Sequence, residues 1–114
     1  MHQGEIYWAL TPDGKKRPVI VVSRDDLNRG DYAVCVLITS AHVERRRDLP
    51  NCVPFRAGEY GLDRDCIAQA EAVTFLELHD LDTSSGPIGV LDGDRLRALV
   101  HALGHVLDSD CEPR

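Results

Sequence analysis

Hydrophobic positions along the chain come first in short runs and last at helical spacing. Gly4 to Leu10, with Ile6, Tyr7 and Trp8 at its centre, predicts a first strand that stops at the turn sequence Thr11-Pro12-Asp13-Gly14. Arg17 to Ser23 predicts a second. Its apolar run is nearly continuous, as in a strand buried on both faces, and Pro18 is tolerable near a strand's start or on an edge. Arg24 to Gly30 is a polar connection with room for one helical turn, capped by Ser23 or Asp25 and ended by Gly30. Tyr32 to Thr39 predicts the third strand. Ser40 to Pro50 is charged and lacks apolar periodicity, so a mobile loop is expected, of the kind that carries binding residues on rigid barrels.

Asn51 to Arg56 reads as a short fourth strand and Ala57 to Leu62 as a turn. From Asp65 to Phe75, alternation predicts a strand with Ile67, Gln69, Glu71 and Val73 on one side and Cys66, Ala68, Ala70, Ala72 and Thr74 on the other. The small residues of the second side imply close packing. Gly86 to Leu91 gives a last short strand. A helix beginning at Asp92 or Asp94 runs to about Leu107, with Leu96, Leu99, Val100, Leu103, Val106 and Leu107 on one face. Strands first and one amphipathic helix last predict a mainly β fold, a small barrel with the C-terminal helix packed on it. Residues 1–114 read as a single domain, without repeat, low-complexity segment or linker.

Composition narrows the partners. The net charge of −6 disfavours a polyanion, but it is unevenly spread. Residues 1–56 hold nine Lys and Arg against seven Asp and Glu, whereas residues 57–114 hold four against twelve. Basic clusters at Lys15-Lys16-Arg17 and Arg45-Arg46-Arg47 can therefore meet a nucleic acid or an acidic peptide over one face. The cysteines, Cys35, Cys52, Cys66 and Cys111, form no CxxC pair and read as reduced, structural thiols. No apolar run is long enough to span a membrane and the N-terminus does not resemble a signal peptide, so a cytoplasmic protein is expected.

The chemistry-bearing positions are few. His101 and His105 have the one-turn spacing of zinc-binding helices, but Ala102 stands where that motif needs glutamate and no third ligand is evident, so no metal is expected. Glycine-rich phosphate loops and nucleophile elbows are absent, which leaves nucleotide-cofactor chemistry unsupported. What remains is Arg17, Thr39, Ser40, Gln69 and Glu71. An arginine stabilises the charge of a pentacoordinate phosphorus, a hydroxyl or amide holds a phosphate in register, and a carboxylate deprotonates a ribose hydroxyl. Plainer alternatives are an Arg17–Glu71 salt bridge and a Thr39 that bonds its own backbone at a strand end.

Taken in order, Gly4-Glu5-Ile6-Tyr7-Trp8, Arg17-Pro18-Val19-Ile20-Val21-Val22-Ser23, Leu27-Asn28, Ile38-Thr39-Ser40, Gly61-Leu62 and the Ile67–Glu71 strand resemble the MazF/PemK (Kid) toxins of type II toxin–antitoxin systems. The resemblance implies an SH3-like barrel and a homodimer. It further implies a ribonuclease that cuts single-stranded RNA at short sequences without a metal or cofactor, leaving a 2′,3′-cyclic phosphate and a 5′-hydroxyl. It assigns catalysis to Arg17 and Thr39, with Glu71 as a weaker match for an acidic residue and Gln69 for its polar partner. Beside the resemblance, Ser40 is expected to position the phosphate, and the basic clusters put Lys15, Lys16, Arg45 and Arg46 among the expected RNA contacts. A cognate antitoxin covering the RNA site is the implied protein partner. The loop before Arg17 is shorter than in many members and lacks their Gly-x-Glu-Gln segment, Gln69 stands where some carry arginine, and Ala72 replaces a usual glutamine. The second reading is a non-catalytic binder on the same barrel, either a gyrase-poisoning toxin of the CcdB type or a decayed toxin that titrates antitoxin.

Overall fold

The computed structural model describes residues 1–108, so the expectation for Cys111 lies outside the described residues. Six strands form one antiparallel sheet: β1 (Glu5–Leu10), β2 (Lys16–Val21), β3 (Tyr32–Thr39), β4 (Cys52–Phe55), β5 (Cys66–Glu77) and β6 (Gly89–Val90). Their order is β4-β5-β3-β2-β1-β6, and the sheet curls into a half-barrel. Among the described residues two α-helices, a single turn α1 (Val43–Arg46) and the C-terminal α2 (Gly93–Leu107), and two 3-10 turns, Glu59–Gly61 and Leu78–Asp80, complete the fold. The mainly β barrel with a helix laid on it is thus the architecture formed.

Alternation along the strands divides the interior in two. Ile6, Ile20, Val36, Ile38, Val53, Phe55 and Ala68 form one core, closed by Leu99 and Ala102 of α2. Tyr7, Ala9, Val19, Val21, Cys35 and Leu76 form the other, closed by Leu81. Burying two faces accounts for the unbroken apolar run of β2, whose Val19, Ile20 and Val21 are all fully buried. Pro18 is accommodated in this central strand because the ladder to β3 begins one residue later, at Val19 opposite Leu37.

Several expectations are corrected. The segment expected as a mobile loop contains α1, a helical turn that includes Arg45 and Arg46 and is followed by turns, Leu49 onto the Arg46 carbonyl and Cys52 onto that of Leu49, which lead into β4. The connection after β2 is a pair of overlapping turns rather than a helix. Asn28 donates to the Ser23 carbonyl at 2.9 Å and accepts from its hydroxyl, while Asp25 turns back to accept from the backbone of Gln3. The alternation expected for β5 fails at its middle: residues 69–72 stand against Leu37 alone, between the pairs Ile38–Ala68 and Val36–Val73. This bulge reverses the strand's parity, so Val73 packs on the same core as Cys66, Ala68 and Ala70 instead of facing away with Glu71. On α2 the buried stripe runs through Leu99 and Ala102, with Leu96, Leu103 and Val106 beside it; Val100 and Leu107 lie exposed on its flank.

The helix is seated by polar contacts as well as by its apolar stripe. Asp92 caps it, accepting from the Arg95 backbone at 2.9 Å and from the Tyr60 hydroxyl at 2.7 Å. Arg95 donates to the Pro54 carbonyl and to Glu59, each at 2.9 Å, and lies over the Phe55 ring at 5.1 Å.

Candidate functional site

The β2–β3 register, continued two residues past Val19 and Leu37, sets Arg17 across from Thr39 and Lys16 across from Ser40. The ladder has ended there, and the parted strand ends open a cleft of about 280 Å³. Its walls are Trp8 of β1, Pro18 of β2, Ile38 of β3, and Leu62 and Cys66 ahead of and at the start of β5. Its polar lining is Lys16, Arg17, Thr39, Ser40, Asp63 and Arg64. Two strand ends far apart in sequence thus meet in one concavity, as the barrel reading requires.

Arg17 is held from the β1–β2 turn. One terminal nitrogen donates to Asp13 at 2.9 Å, and its other donors have no protein acceptor among the described residues. Asp13 also accepts from the Thr11 hydroxyl and from the Lys15 backbone, and these bonds, that of Thr11 foremost, bring its carboxyl down to about 2. Asp13 therefore stays ionised and acts as a fixed anchor for the guanidinium. Thr39 is nearly buried, and its hydroxyl accepts from the Ala41 backbone at 3.1 Å, which leaves its own proton free to donate. Ser40 is exposed beside it.

The other expected residues lie outside the cleft lining. Gln69 is two residues along β5 from Ile67, the pairing partner of Thr39, and pairs with Cys52 of β4. Glu71 is exposed and accepts from the side chain of Asn51, so the alternative Arg17–Glu71 salt bridge is not formed: Arg17 pairs with Asp13. Glu71 and Arg46 both act on the Cys52 thiol, which is raised first by burial and then by Glu71, with Arg46 opposing. Lys15 and Arg45 are exposed, in the turn and on α1.

Trp8, Asp13, Asp63 and Arg64 were not singled out from sequence. The one available signal was Asp13 four residues before Arg17, a spacing that a tight hairpin turns into a contact. Among the described residues no group of His, Cys, Asp and Glu is arranged to hold a metal ion. No helix there is long and apolar enough to cross a membrane.

The family model of the PemK-like, MazF-like toxins of type II toxin–antitoxin systems matches residues 2–107. The chain belongs to this family. Solved structures agree on the fold. A Mycobacterium tuberculosis toxin, MazF-mt6, is 24% identical with a TM-score of 0.76, covering 94% of this chain and 99% of its own. A mycobacterial endoribonuclease in complex with its cognate antitoxin is 19% identical with a TM-score of 0.75, covering 94% of each chain. A MazE–MazF structure from Deinococcus radiodurans is 19% identical at a TM-score of 0.70, again covering 94% of each. No curated protein sequence matches the chain. In this toxin the Arg-Pro and Thr-Ser strand ends are the residues that line the cleft, and the Gly61-Leu62 element supplies part of its wall.

Proposed function

We propose that this MazF/PemK-family toxin is an endoribonuclease that cuts single-stranded RNA at short sequences, without a metal, and so arrests translation and growth. The observation that carries the reading is the convergence of Arg17 and Thr39 in one cleft, with free donors on both. A scissile phosphate seated between them receives the remaining guanidinium N–H groups of Arg17 and the hydroxyl protons of Thr39 and Ser40. Attack by the neighbouring ribose 2′-hydroxyl, which gives up its proton to water, then forms a phosphorane whose added negative charge Arg17 offsets. The bond to the 5′-oxygen breaks, that oxygen takes a proton from water to become the 5′-hydroxyl, and a 2′,3′-cyclic phosphate is left. Lys16 and Arg64 add positive charge around the backbone. Lys15, Gln69, Glu71, Arg45 and Arg46 lie outside the cleft and are assigned to RNA on either side of the cut; Glu71 would serve as a base only after releasing Asn51.

Two partners accompany this reading. A cognate antitoxin is supported by the complexes in which related folds were solved. A homodimer is supported by the exposed aromatic pair Tyr32 and Phe75, 5.6 Å apart, which extends an apolar surface over Val34 and Leu78.

The test is incubation of wild type, Arg17→Ala and Thr39→Ala with a long unstructured RNA in excess EDTA, with fragment ends mapped by primer extension. Discrete cuts by wild type are expected, with each variant reduced on the order of 10²-fold or more while its circular dichroism is unchanged. Equal cutting by both variants would reject the site. Intact RNA together with stalled DNA gyrase would favour the gyrase-poisoning alternative.

A further inference from the structure

Trp8 is the chain's single tryptophan, in a protein with only five other aromatic residues, three Tyr and two Phe. It is 41% exposed although β1 is an interior strand of the sheet, paired with β2 on one side and β6 on the other. Its main chain is held in the sheet: Trp8 lies opposite Pro18, and its carbonyl accepts from the Asp82 backbone at 2.8 Å. The side chain is not. Its indole N–H has no acceptor among the described residues, and no aromatic ring lies against it, whereas the exposed Tyr32 and Phe75 cover each other. Burial of apolar area accounts for Ile6 and Tyr7 of β1; Trp8 and Leu10 are both half-exposed, and of these two only the indole stands in the wall of the cleft.

The surroundings indicate what the indole meets. Lys16, Arg17 and Arg64 line the same cleft against one carboxylate, Asp63, which pairs with Arg64 at 3.6 Å, so the lining is net positive and favours a ligand that carries negative charge past Trp8. A nucleotide combines a planar π-face with an adjacent phosphate, and aromatic side chains beside basic groups are the usual means of holding an unstacked base. We propose that Trp8 is the nucleobase platform of this site: the base next to the scissile phosphate stacks on the indole, which sets the phosphate's position between Arg17 and Thr39. The inference rests on the ribonuclease reading and deepens it. Cleavage then requires a base at that position, not merely a phosphodiester backbone.

Because Trp8 is the only tryptophan, its fluorescence reports on this one position. The probe is a 2′-O-methyl oligonucleotide carrying the mapped cut site, or a mixed-sequence 2′-O-methyl nonamer if wild type makes no cut; the blocked hydroxyl prevents cleavage. A second probe is identical except for an abasic residue at each position in turn. Saturable quenching is expected with the first probe, and loss of quenching with about 5-fold to 100-fold weaker binding when the abasic residue falls beside the scissile phosphate. In cleavage assays Trp8→Phe should stay within about 3-fold of wild type. Trp8→Leu, which keeps an apolar side chain on the strand but no π-face, should raise KM by about 10-fold or more at a similar melting temperature.

Quenching that survives every abasic substitution, or a Trp8→Leu enzyme that cleaves with unchanged KM, overturns the platform while leaving the ribonuclease intact. Base-dependent quenching by a wild type that cuts no RNA supports the platform and removes the cleavage reading. Absence of both quenching and cleavage overturns the two together.

Discussion

At the residue scale the site depends on a short hairpin turn that fixes one arginine. Asp13 has donors from Thr11, Lys15 and Arg17, so its carboxyl is held at about 2 against an ordinary 3.8. A carboxyl lowered in the folded state adds stability that is complete above its unfolded pKa and disappears as pH falls toward the folded value. Asp13→Asn should therefore melt below wild type by a constant interval above about pH 5, and the two curves should draw together as pH falls from there and converge only at about pH 2 and below. Between pH 5 and 9 Asp13 contributes no inflection to a rate profile. Its loss should instead lower kcat, by about 10-fold, with little change in KM, because Arg17 loses its fixed direction rather than its charge. Asp13→Glu should recover part of that loss. A kcat unchanged in Asp13→Asn would show that Arg17 needs no anchor. This aspartate also puts a carboxylate beside the arginine in a chain whose short loop lacks the glutamate that many relatives carry before it.

At the element scale, the wall of the cleft depends on how closely two turns approach. Gly61 has φ +76°, and its α-carbon lies against Ile88, while Gly89 lies against the Tyr60 carbonyl so closely that any Cβ there would collide with backbone. Gly89→Ala has no flexible side chain to displace and must push β6 away from the Tyr60 turn. It should destabilise the protein by about 1–3 kcal/mol, measured by urea titration, and reduce cleavage by moving Leu62 and Arg64. A stability equal to wild type would mean that this contact relaxes freely. The β5 bulge acts on the same scale. By placing four residues against Leu37 it lets one strand serve both cores, Ala68 and Ala70 in one and Leu76 in the other. No alternation pattern expresses such a slip, because the pattern assumes an unbroken pleat.

At the scale of the whole molecule, a chain of net charge −6 concentrates Lys16, Arg17 and Arg64 around one cleft. Binding of a non-cleavable single strand should accordingly weaken with salt despite the acidic total. The expected slope of log affinity against log salt is about −2, from about −0.7 for each phosphate neutralised. Lys16→Gln should reduce that slope by about 0.7, read by fluorescence anisotropy between about 50 and 200 mM salt. A slope near zero would place the contacts elsewhere.

The sequence by itself determined the elements and the family. The run Arg17–Ser23, the β3 boundaries Tyr32–Thr39 and the helix after Asp92 are local matters of apolar period, turn chemistry and capping, and they persist in the structure to within one or two residues. It also marked Arg17, Thr39 and Ser40, because polar groups that end buried strands stand out against their own runs. Tertiary structure alone decided which of those groups meet. The pairing of β2 with β3 joins Arg17 to Thr39, and the approach to β5 adds Asp63 and Arg64. The bulge in β5 turns Val73 inward, and Glu71 is committed to Asn51. The exposed indole of Trp8 was indistinguishable in sequence from a core residue, since exposure depends on where neighbouring strands end and not on the residues beside it in the chain.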